Sequence, residues 1–309
     1  MLYQIKGLHH VTSMASSPSR NNRFFTQTLG LRRVKKTVNF DRPDVYHLYY
    51  GDQTGAPGTV MTYFPFPDAE RGQAGVGEVG RTVFSVPLGS LDAWVERLEM
   101  NGAAGLHRET RFGEQRLSFY GPDGDRFSLV EAEDARKPYT RGGVPAAMAI
   151  RGFHSAELHL SDEAPEAKLL TFMGYKEVVR EGNVTRFALS DGDNATLIDI
   201  VCDPDGARAS QGAGSVHHIA FSVDNRARQL EVREALAEAG YEVTDVRNRD
   251  YFWAIYFRTP GGILFEVATN EPGFDADEDK AHLGEALKLP SQHAHLRRKL
   301  ERVLEPIDP

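Results

Sequence analysis

The chain contains a single cysteine, Cys202, among its 309 residues. One cysteine excludes an internal disulfide and a cysteine-rich metal site, and it suits a reducing compartment. A run of roughly 18 or more apolar residues is also lacking, so the sequence predicts no transmembrane helix. Residues 1–6 do not form the apolar stretch of a signal peptide. We therefore expect a cytoplasmic protein that does not act in a membrane.

The sequence also lacks an excess of basic residues. Its formal net charge is −8, whereas a general nucleic-acid-binding protein favours a basic balance. The hydrophobic content of 40% is ordinary for a globular chain and supplies enough apolar residues for a sizeable core. These values favour an enzyme or a small-molecule binding protein over a nucleic-acid partner.

Two strand-like segments, 8–12 and 216–221, each contain a pair of adjacent histidines near their start. The pairs are His9-His10 and His217-His218. A third apolar segment, 261–267, contains one carboxylate, Glu266. Two imidazoles and one carboxylate, with open coordination positions left over, form the ligand set of non-haem Fe(II) oxygenases. The sequence therefore predicts a metal site.

One histidine of each pair is expected to face this site. Neighbouring side chains of an undistorted strand point to opposite faces, so both rings of a pair cannot enter one cavity. Spacing alone does not decide which ring faces inward. Glu266 is informative by itself, because a carboxylate between Phe265 and Val267 is costly to bury unless it is paired or coordinated.

The chain repeats one strand–helix–strand–strand–strand plan four times, near residues 5–67, 80–132, 150–202 and 214–269. Shared features include Phe-Ser-Val at 84–86 and 221–223, and a proline–glycine turn between the last two strands of modules 2 and 4. Helices are predicted near 22–28, 91–101, 166–172 and 229–239. The fold class is therefore α+β, with four βαβββ modules.

These modules predict two halves and a tail. The first half, 1–135, holds modules 1 and 2, and a linker at 136–149 precedes the second half, 150–270, with modules 3 and 4. The remaining segment, 271–309, is a C-terminal tail that contains an amphipathic helix. Its predicted apolar face consists of Leu296, Leu300, Val303 and Leu304. Such a helix could cover a subunit interface, so a homo-oligomer is possible.

Aligning the modules with one another indicates how many metal sites to expect. The predicted ligand positions carry other residues in modules 2 and 3: Arg81 in place of His218, Ser128 in place of Glu266, and Ser155 in place of His10. We therefore expect one metal ion per chain.

The order of these motifs resembles the vicinal oxygen chelate (glyoxalase/bleomycin-resistance/extradiol dioxygenase) superfamily. The shared motifs are an N-terminal Leu-His-His, a helix ending in Leu-Gly-Leu and a final Pro-Gly-Gly-x-x-Phe-Glu. Further runs resemble its hydroquinone ring-cleaving dioxygenases and lie at 46–50, 57–62, 110–113, 151–155 and 258–262. The resemblance implies two glyoxalase/dioxygenase-like halves and a metal-dependent dioxygenase of aromatic compound catabolism. The implied reaction inserts O2 into a hydroquinone-type or catechol-type diphenol.

The resemblance also implies roles for individual residues. The second histidine of each pair and the glutamate after phenylalanine would bind the metal, which gives His10, His218 and Glu266 as ligands. Fe(II) is the expected ion, and Mn(II) accepts the same ligands. Residues expected near the ligands, the substrate or O2 are His9, Thr12, His217, Arg249 and Tyr256.

Two rival ligands and two rival functions stay open. His154 and Asp199 could bind a metal, although local hydrogen bonding is the simpler expectation for both. The other histidines are expected to be surface or packing residues: His47, His107, His159, His282, His293 and His295. A glyoxalase-type lyase or isomerase would usually have four protein ligands, and a non-catalytic aromatic-binding resistance protein is usually shorter.

Overall fold

The computed structural model describes residues 1–67, 69–192 and 195–307. Within them, sixteen strands form two eight-stranded sheets. The first sheet contains, in spatial order, β14 (Arg247–Asn248), β15 (Phe252–Arg258), β16 (Leu264–Pro272), β13 (Val216–Val223), β1 (Leu8–Ala15), β4 (Val60–Pro65), β3 (Tyr46–Gly51) and β2 (Arg32–Val38). The second contains β10 (Lys176–Glu181), β11 (Val184–Ala188), β12 (Leu197–Cys202), β9 (Gly152–Leu160), β5 (Glu78–Val86), β8 (Arg126–Glu131), β7 (Glu114–Tyr120) and β6 (Ala104–Arg111).

The four predicted βαβββ modules are all present, but their partners in the sheets are not their neighbours in sequence. Modules 1 and 4 share the first sheet through the antiparallel β1–β13 pair. Modules 2 and 3 share the second sheet through the β5–β9 pair. Each half expected from the sequence, 1–135 and 150–270, therefore contributes one module to each sheet.

Five α-helices cover the described chain: α1 (Pro18–Arg23), α2 (Leu91–Met100), α3 (Ala164–Phe172), α4 (Arg226–Glu238) and α5 (Arg297–Val303). Helix α1 begins four residues before the predicted start, because the Ser17 side chain accepts a hydrogen bond from the Arg20 N–H and Pro18 occupies the first turn. A π-helical turn, Phe24–Thr28, continues it. The side chain of Asn225 caps α4 in the same way.

The C-terminal helix, Arg297–Val303, contains two residues of the predicted apolar face, and Leu296 and Leu304 flank its ends. Leu300 and Leu304 are buried, as expected, but Val303 is 59% exposed. The predicted apolar face is thus partly buried against the rest of the chain and partly exposed. No helix in the described ranges combines the length and apolarity needed to cross a lipid bilayer. A role for this segment in oligomer formation stays a prediction.

One apolar core cluster includes residues from both sheets, among them Phe84 and Phe153 of the second and Phe221 and Phe265 of the first. Helix α2 packs Trp94 and Leu98 into it. This core fixes the strands that carry the predicted metal ligands.

Glu166 of α3 is a buried acid that touches the β15–β16 turn. Its Oε2 accepts a hydrogen bond from Gly261 N at 3.1 Å, and a Cβ on Gly261 would meet that same oxygen at 3.0 Å. Burial raises the pKa of Glu166 to about 7, despite the hydrogen bonds from Gly261 and Thr259. The carboxyl group therefore stays mostly protonated in the folded protein below that pH, and it becomes a buried charge above it.

Replacing Glu166 with glutamine is expected to stabilise the protein at pH 8.5 and to change little at pH 4.5. The folded pKa lies above the unfolded pKa, so the cost of the buried charge grows as the pH rises and is absent in acid. The gain should be at most about 3 kcal/mol. Urea unfolding at both pH values measures it, and an equal effect at both would contradict this origin.

Candidate metal centre

Three neighbouring strands of the first sheet carry the predicted ligands. His10 lies on β1, His218 on β13 and Glu266 on β16, and these strands are adjacent in the order β16–β13–β1. In the pairing register, Ala220 lies opposite both His10 and Glu266. The three side chains are buried, and one potential ligand atom from each lies within 4.8 Å of the other two.

The donor atoms converge as metal ligands do. His218 Nε2 lies 2.9 Å from Glu266 Oε2, His10 Nε2 lies 3.5 Å from the same oxygen, and the two Nε2 atoms are 3.3 Å apart. Donors at right angles around an ion, with bonds of roughly 2.1 Å, would lie about 3 Å from one another. The geometry therefore fits one divalent ion.

Glu266 gives a second indication that an ion belongs here. Both of its carboxylate oxygens are buried and have no hydrogen bond of good geometry among the described residues. A buried carboxylate without such partners is costly unless something else neutralises it. The imidazole and carboxylate donors suit Fe, Mn or Zn. These observations make the site a candidate metal centre.

The remaining nitrogen of each ligand histidine contacts the histidine before it. His9 and His10 have their Nδ1 atoms 2.9 Å apart, and those of His217 and His218 are 2.7 Å apart. Metal-binding histidines almost always use their second nitrogen in such a hydrogen bond, which fixes the ring tautomer. The second histidine of each pair therefore points to the centre, and the first supports it.

Strand bulges make this arrangement possible. The β1–β13 register skips one residue between Leu8 and His10, so His9 is an extra residue, and it shifts again opposite His217. An extra residue disturbs the strict alternation of side chains. The prediction of one inward histidine per pair assumed undistorted strands, and the bulges explain why both rings of a pair can meet.

The shifted pKa values of the site residues favour the protonation states that bind a cation. Burial alone would raise the pKa of Glu266, but His10 and His218 beside it hold that pKa well below its usual value. Burial lowers the pKa of His218, and it lowers the pKa of His9 to about 3 and that of His217 to about 4. A neutral imidazole and an ionised carboxylate are the forms that bind metal.

The triad opens into a cavity of about 490 Å³. Its aromatic walls are formed by Phe40, Tyr49, Phe64, Phe66, Phe252 and Tyr256, and its polar groups include Asn39, Asp41, Arg42, Gln211 and Arg249. A concave, mostly apolar site with a few convergent polar groups is typical of small-molecule binding. The planar walls suit an aromatic ring.

Arg249 and Tyr256 lie together in this cavity. Arg249 Nε donates to the Tyr256 hydroxyl at 3.2 Å, and Tyr256 lies opposite Glu266 in the β15–β16 register. Burial and the nearby Glu266 raise the pKa of Tyr256, so it stays protonated. Both residues were predicted to lie near the substrate, and the structure brings them to the triad.

Thr12 and His9 lie behind the cavity wall rather than in it. The hydroxyl of Thr12 is 3.1 Å from that of Thr62. The ring of His9 packs against Phe252 at 5.4 Å between centroids. Neither is among the residues that line the cavity, whereas His217 is, and the predicted catalytic roles of Thr12 and His9 stay predictions.

His47 lines the cavity, although the sequence did not predict a functional role for it. It was expected to be a surface or packing residue, but it is 7% exposed and lines the cavity. His47 Nε2 lies 2.7 Å from Thr62 Oγ1, and its Nδ1 lies 2.8 Å from the Tyr49 hydroxyl. The available signal was its position two residues before Tyr49, on the same face of a buried strand.

The two rival ligands, His154 and Asp199, contact other side chains away from the triad. His154 Nε2 lies 3.1 Å from Glu114, and Asp199 accepts two hydrogen bonds from Arg186, at 2.7 and 2.9 Å. Both lie in the second sheet. His107, His282 and His295 are exposed.

The second sheet repeats the triad's strand positions with other residues. His154 is the extra residue of a bulge in β9, as His9 is in β1, and Gly80 occupies the corresponding place in β5. This register confirms that Arg81 and Ser155 stand where His218 and His10 do. Ser128 lies opposite Val83 as Glu266 lies opposite Ala220. Arg81 Nη1 donates to Ser128 Oγ at 3.2 Å.

Comparison with known proteins gives consistent matches over the whole chain. The model of the Glyoxalase/Bleomycin resistance protein/Dioxygenase superfamily matches residues 7–129 and 158–267. The chain is 42% identical over 310 residues to MhqO of Bacillus subtilis (strain 168), named as a candidate ring-cleaving dioxygenase, with 100% of this chain and 98% of that protein covered. It is 35% identical over 311 residues to the chlorohydroquinone/hydroquinone 1,2-dioxygenase of Sphingobium indicum, with 97% and 96% covered.

Solved structures agree with this similarity. A crystal structure of a candidate dioxygenase from Bacillus subtilis has a TM-score of 0.95 and 42% identity, and the match covers 99% of this chain and 98% of that one. Glyoxalase I from Zea mays matches with a TM-score of 0.64 and 14% identity over 86% and 92% of the two chains. The second similarity concerns the fold alone.

Proposed function

Because the chain belongs to the glyoxalase/bleomycin resistance protein/dioxygenase superfamily, we propose that it is a metal-dependent ring-cleaving dioxygenase of hydroquinone-type or catechol-type diphenols. The observation that carries this proposal is the convergence of His10, His218 and Glu266 at the wall of a cavity lined by aromatic side chains. Two relatives that match nearly the full chain bear names of ring-cleaving or hydroquinone dioxygenases.

The proposed cofactor is Fe(II), held by His10 Nε2, His218 Nε2 and a Glu266 oxygen. Two histidines and one carboxylate are the ligand set of non-haem Fe(II) oxygenases, and Mn(II) is the alternative ion. When bound, the ion supplies positions for a substrate oxygen and O2, together with the redox chemistry that joins them. The protein contributes binding, orientation and proton handling.

The first contribution is to favour an ionised phenol. Arg249 places a partly buried cation beside the cavity, which stabilises negative charge on a substrate oxygen. Its Nε–H occupies an acceptor position of the Tyr256 oxygen. The tyrosine proton therefore remains available for donation to a substrate oxygen.

The second contribution is to hold the ligands still. His9 and His217 each contact the Nδ1 atom of the ligand beside them, which fixes the direction of His10 Nε2 and His218 Nε2. His217 also lines the cavity, and because its Nδ1 accepts from His218 Nδ1–H, the proton of its neutral ring lies on Nε2 and can be donated in a hydrogen bond to a substrate oxygen. His9 has no such access and serves as support alone.

The number of protein ligands separates this function from a glyoxalase-type lyase. That chemistry on this scaffold usually has four ligands, and the described residues bring three His, Asp or Glu donors together here. A protein that only sequesters an aromatic compound would not need the buried triad. Both alternatives are tested in the same experiment.

Protein loaded anaerobically with Fe(II) is expected to consume O2 when hydroquinone or catechol is added. A new absorbance from the ring-opened product should accompany the uptake. Methylglyoxal with glutathione serves as the matched test of lyase chemistry and should give no reaction. O2 uptake confirms the proposed function. Protein that binds one Fe(II) per chain but consumes no O2 with any diphenol would contradict it.

A further inference from the structure

We propose that His47 is a positioning residue that holds the substrate ring against one wall of the metal cavity, an inference that rests on the proposed function. His47 lies on β3, on the opposite side of the ligand strands from Tyr256 on β15. Both residues line the cavity that contains the triad. A ring bound at the centre would therefore lie between the two walls.

Two hydrogen bonds and two ring contacts fix the orientation of the His47 ring. Its Nε2 lies 2.7 Å from Thr62 Oγ1, and its Nδ1 lies 2.8 Å from the Tyr49 hydroxyl. Thr62 Oγ1 in turn lies 3.1 Å from Thr12 Oγ1 on β1, the strand that carries His10. The ring also packs against Tyr49 and Phe64, with centroids 4.0 and 4.4 Å away.

The use of both nitrogens explains why histidine suits this position. His47 lines the cavity, and because each ring nitrogen already has a partner, the part of the imidazole that faces the cavity offers carbon atoms rather than a free nitrogen. Burial and the nearby His10 and His218 lower the pKa of His47 well below its usual value, so the ring is neutral. It therefore acts as an uncharged aromatic surface that two hydrogen bonds hold in one orientation.

A phenylalanine at the same position would fill similar space without these hydrogen bonds. A wall fixed before the substrate arrives lowers the ordering cost of binding, and a wall free to rotate does not. The structure thus separates two properties of His47, its volume and its fixed orientation. The proposed role depends on the second.

The test compares His47→Phe with the unchanged protein, each loaded with Fe(II). We expect an unchanged metal content, a KM for hydroquinone raised about five- to tenfold and kcat changed by less than about twofold, as for the loss of one or two neutral hydrogen bonds. Calorimetric titration with hydroquinone in the absence of O2 should show the same rise in Kd. His47→Gln, which keeps a polar group near Thr62, should recover part of the loss.

Tyr49→Phe removes the hydroxyl that contacts His47 Nδ1 and tests the same hydrogen-bonded group independently. It should raise KM and Kd in the same direction, and the double variant should be no worse than His47→Phe alone, because both changes disrupt one unit. Tyr50→Phe is the matched control. Tyr50 is the next residue of β3, and its buried hydroxyl has no hydrogen-bond partner among the described residues.

The outcomes separate this proposal from the proposed function. Unchanged KM and Kd in a folded, metal-loaded His47→Phe protein would overturn the role of His47 and leave the dioxygenase assignment intact. A parent protein that binds hydroquinone but consumes no O2 would overturn the function, and the Kd comparison would still test His47. Strictly additive effects of the His47 and Tyr49 variants would also count against the proposal.

Discussion

Replacing His218 with alanine is expected to abolish metal binding and O2 consumption together. His218 supplies one of three donor atoms, and its Nε2 lies 2.9 Å from Glu266. Loss of an outer partner of a ligand already weakens metal affinity by roughly 10–100-fold, so loss of a ligand should cost roughly a thousandfold or more. Metal analysis after gel filtration and O2 uptake with hydroquinone measure the two effects.

His154→Ala is the matched control for this substitution. His154 is also a buried histidine at a bulge in a central strand, but it lies in the second sheet and contacts Glu114. The variant should keep about one metal ion per chain and its dioxygenase activity. Equal metal loss in both variants would show that the effect is general destabilisation. Full metal binding by His218→Ala would remove the proposed triad.

The metal ligands could be predicted because their residue types are costly in any other role. A glutamate between Phe265 and Val267, and two histidine pairs at strand starts, leave few explanations besides a shared ion. The choice within each pair needed the resemblance to a family. Strand alternation does not decide which of two neighbouring histidines faces the metal, and no pattern in the sequence predicts the bulge at His9.

The exchange of sheet partners could not be read from the order of the modules. All four modules follow one plan, so local sequence does not distinguish a β1–β13 pair from a β1–β5 pair. Tertiary packing decides between them. His47 was missed for a related reason, since its contact with Thr62 forms only when β3 and β4 pair.

The predicted absence of a second metal ion has a structural counterpart in a buried cluster around Glu157. Arg116 and Arg111 donate to Glu157 Oε1 at 2.6 and 2.8 Å, and Arg81 Nε lies 3.4 Å from Oε2. Both Glu157 and Arg116 are at most 2% exposed. Arginine side chains thus provide the positive charge in this sheet that a metal ion would provide in the other.

Replacing Glu157 with glutamine is therefore expected to destabilise the protein by about 3–5 kcal/mol at pH 7, the usual cost of removing one partner from a buried ionic group. Urea unfolding measures the loss. Asp44→Asn is the matched control, because the Arg42–Asp44 pair is 60% and 58% exposed and should change stability by less than about 1 kcal/mol. Metal content should be unchanged in both variants, since the cluster lies in the second sheet.

The pH dependence of this loss identifies its origin. Burial alone would raise the pKa of Glu157, but its partners, His159 and the three arginines, hold it far below its usual value. A carboxyl group with a lowered folded pKa stabilises fully above its unfolded pKa of about 4.3 and progressively less as the pH falls below it. The difference between the parent and Glu157→Gln should therefore be constant from pH 6 to 8 and shrink towards pH 3. If the stability difference were the same at pH 3 as at pH 7, the charge of Glu157 would not be its cause. The effect would then be assigned to altered packing.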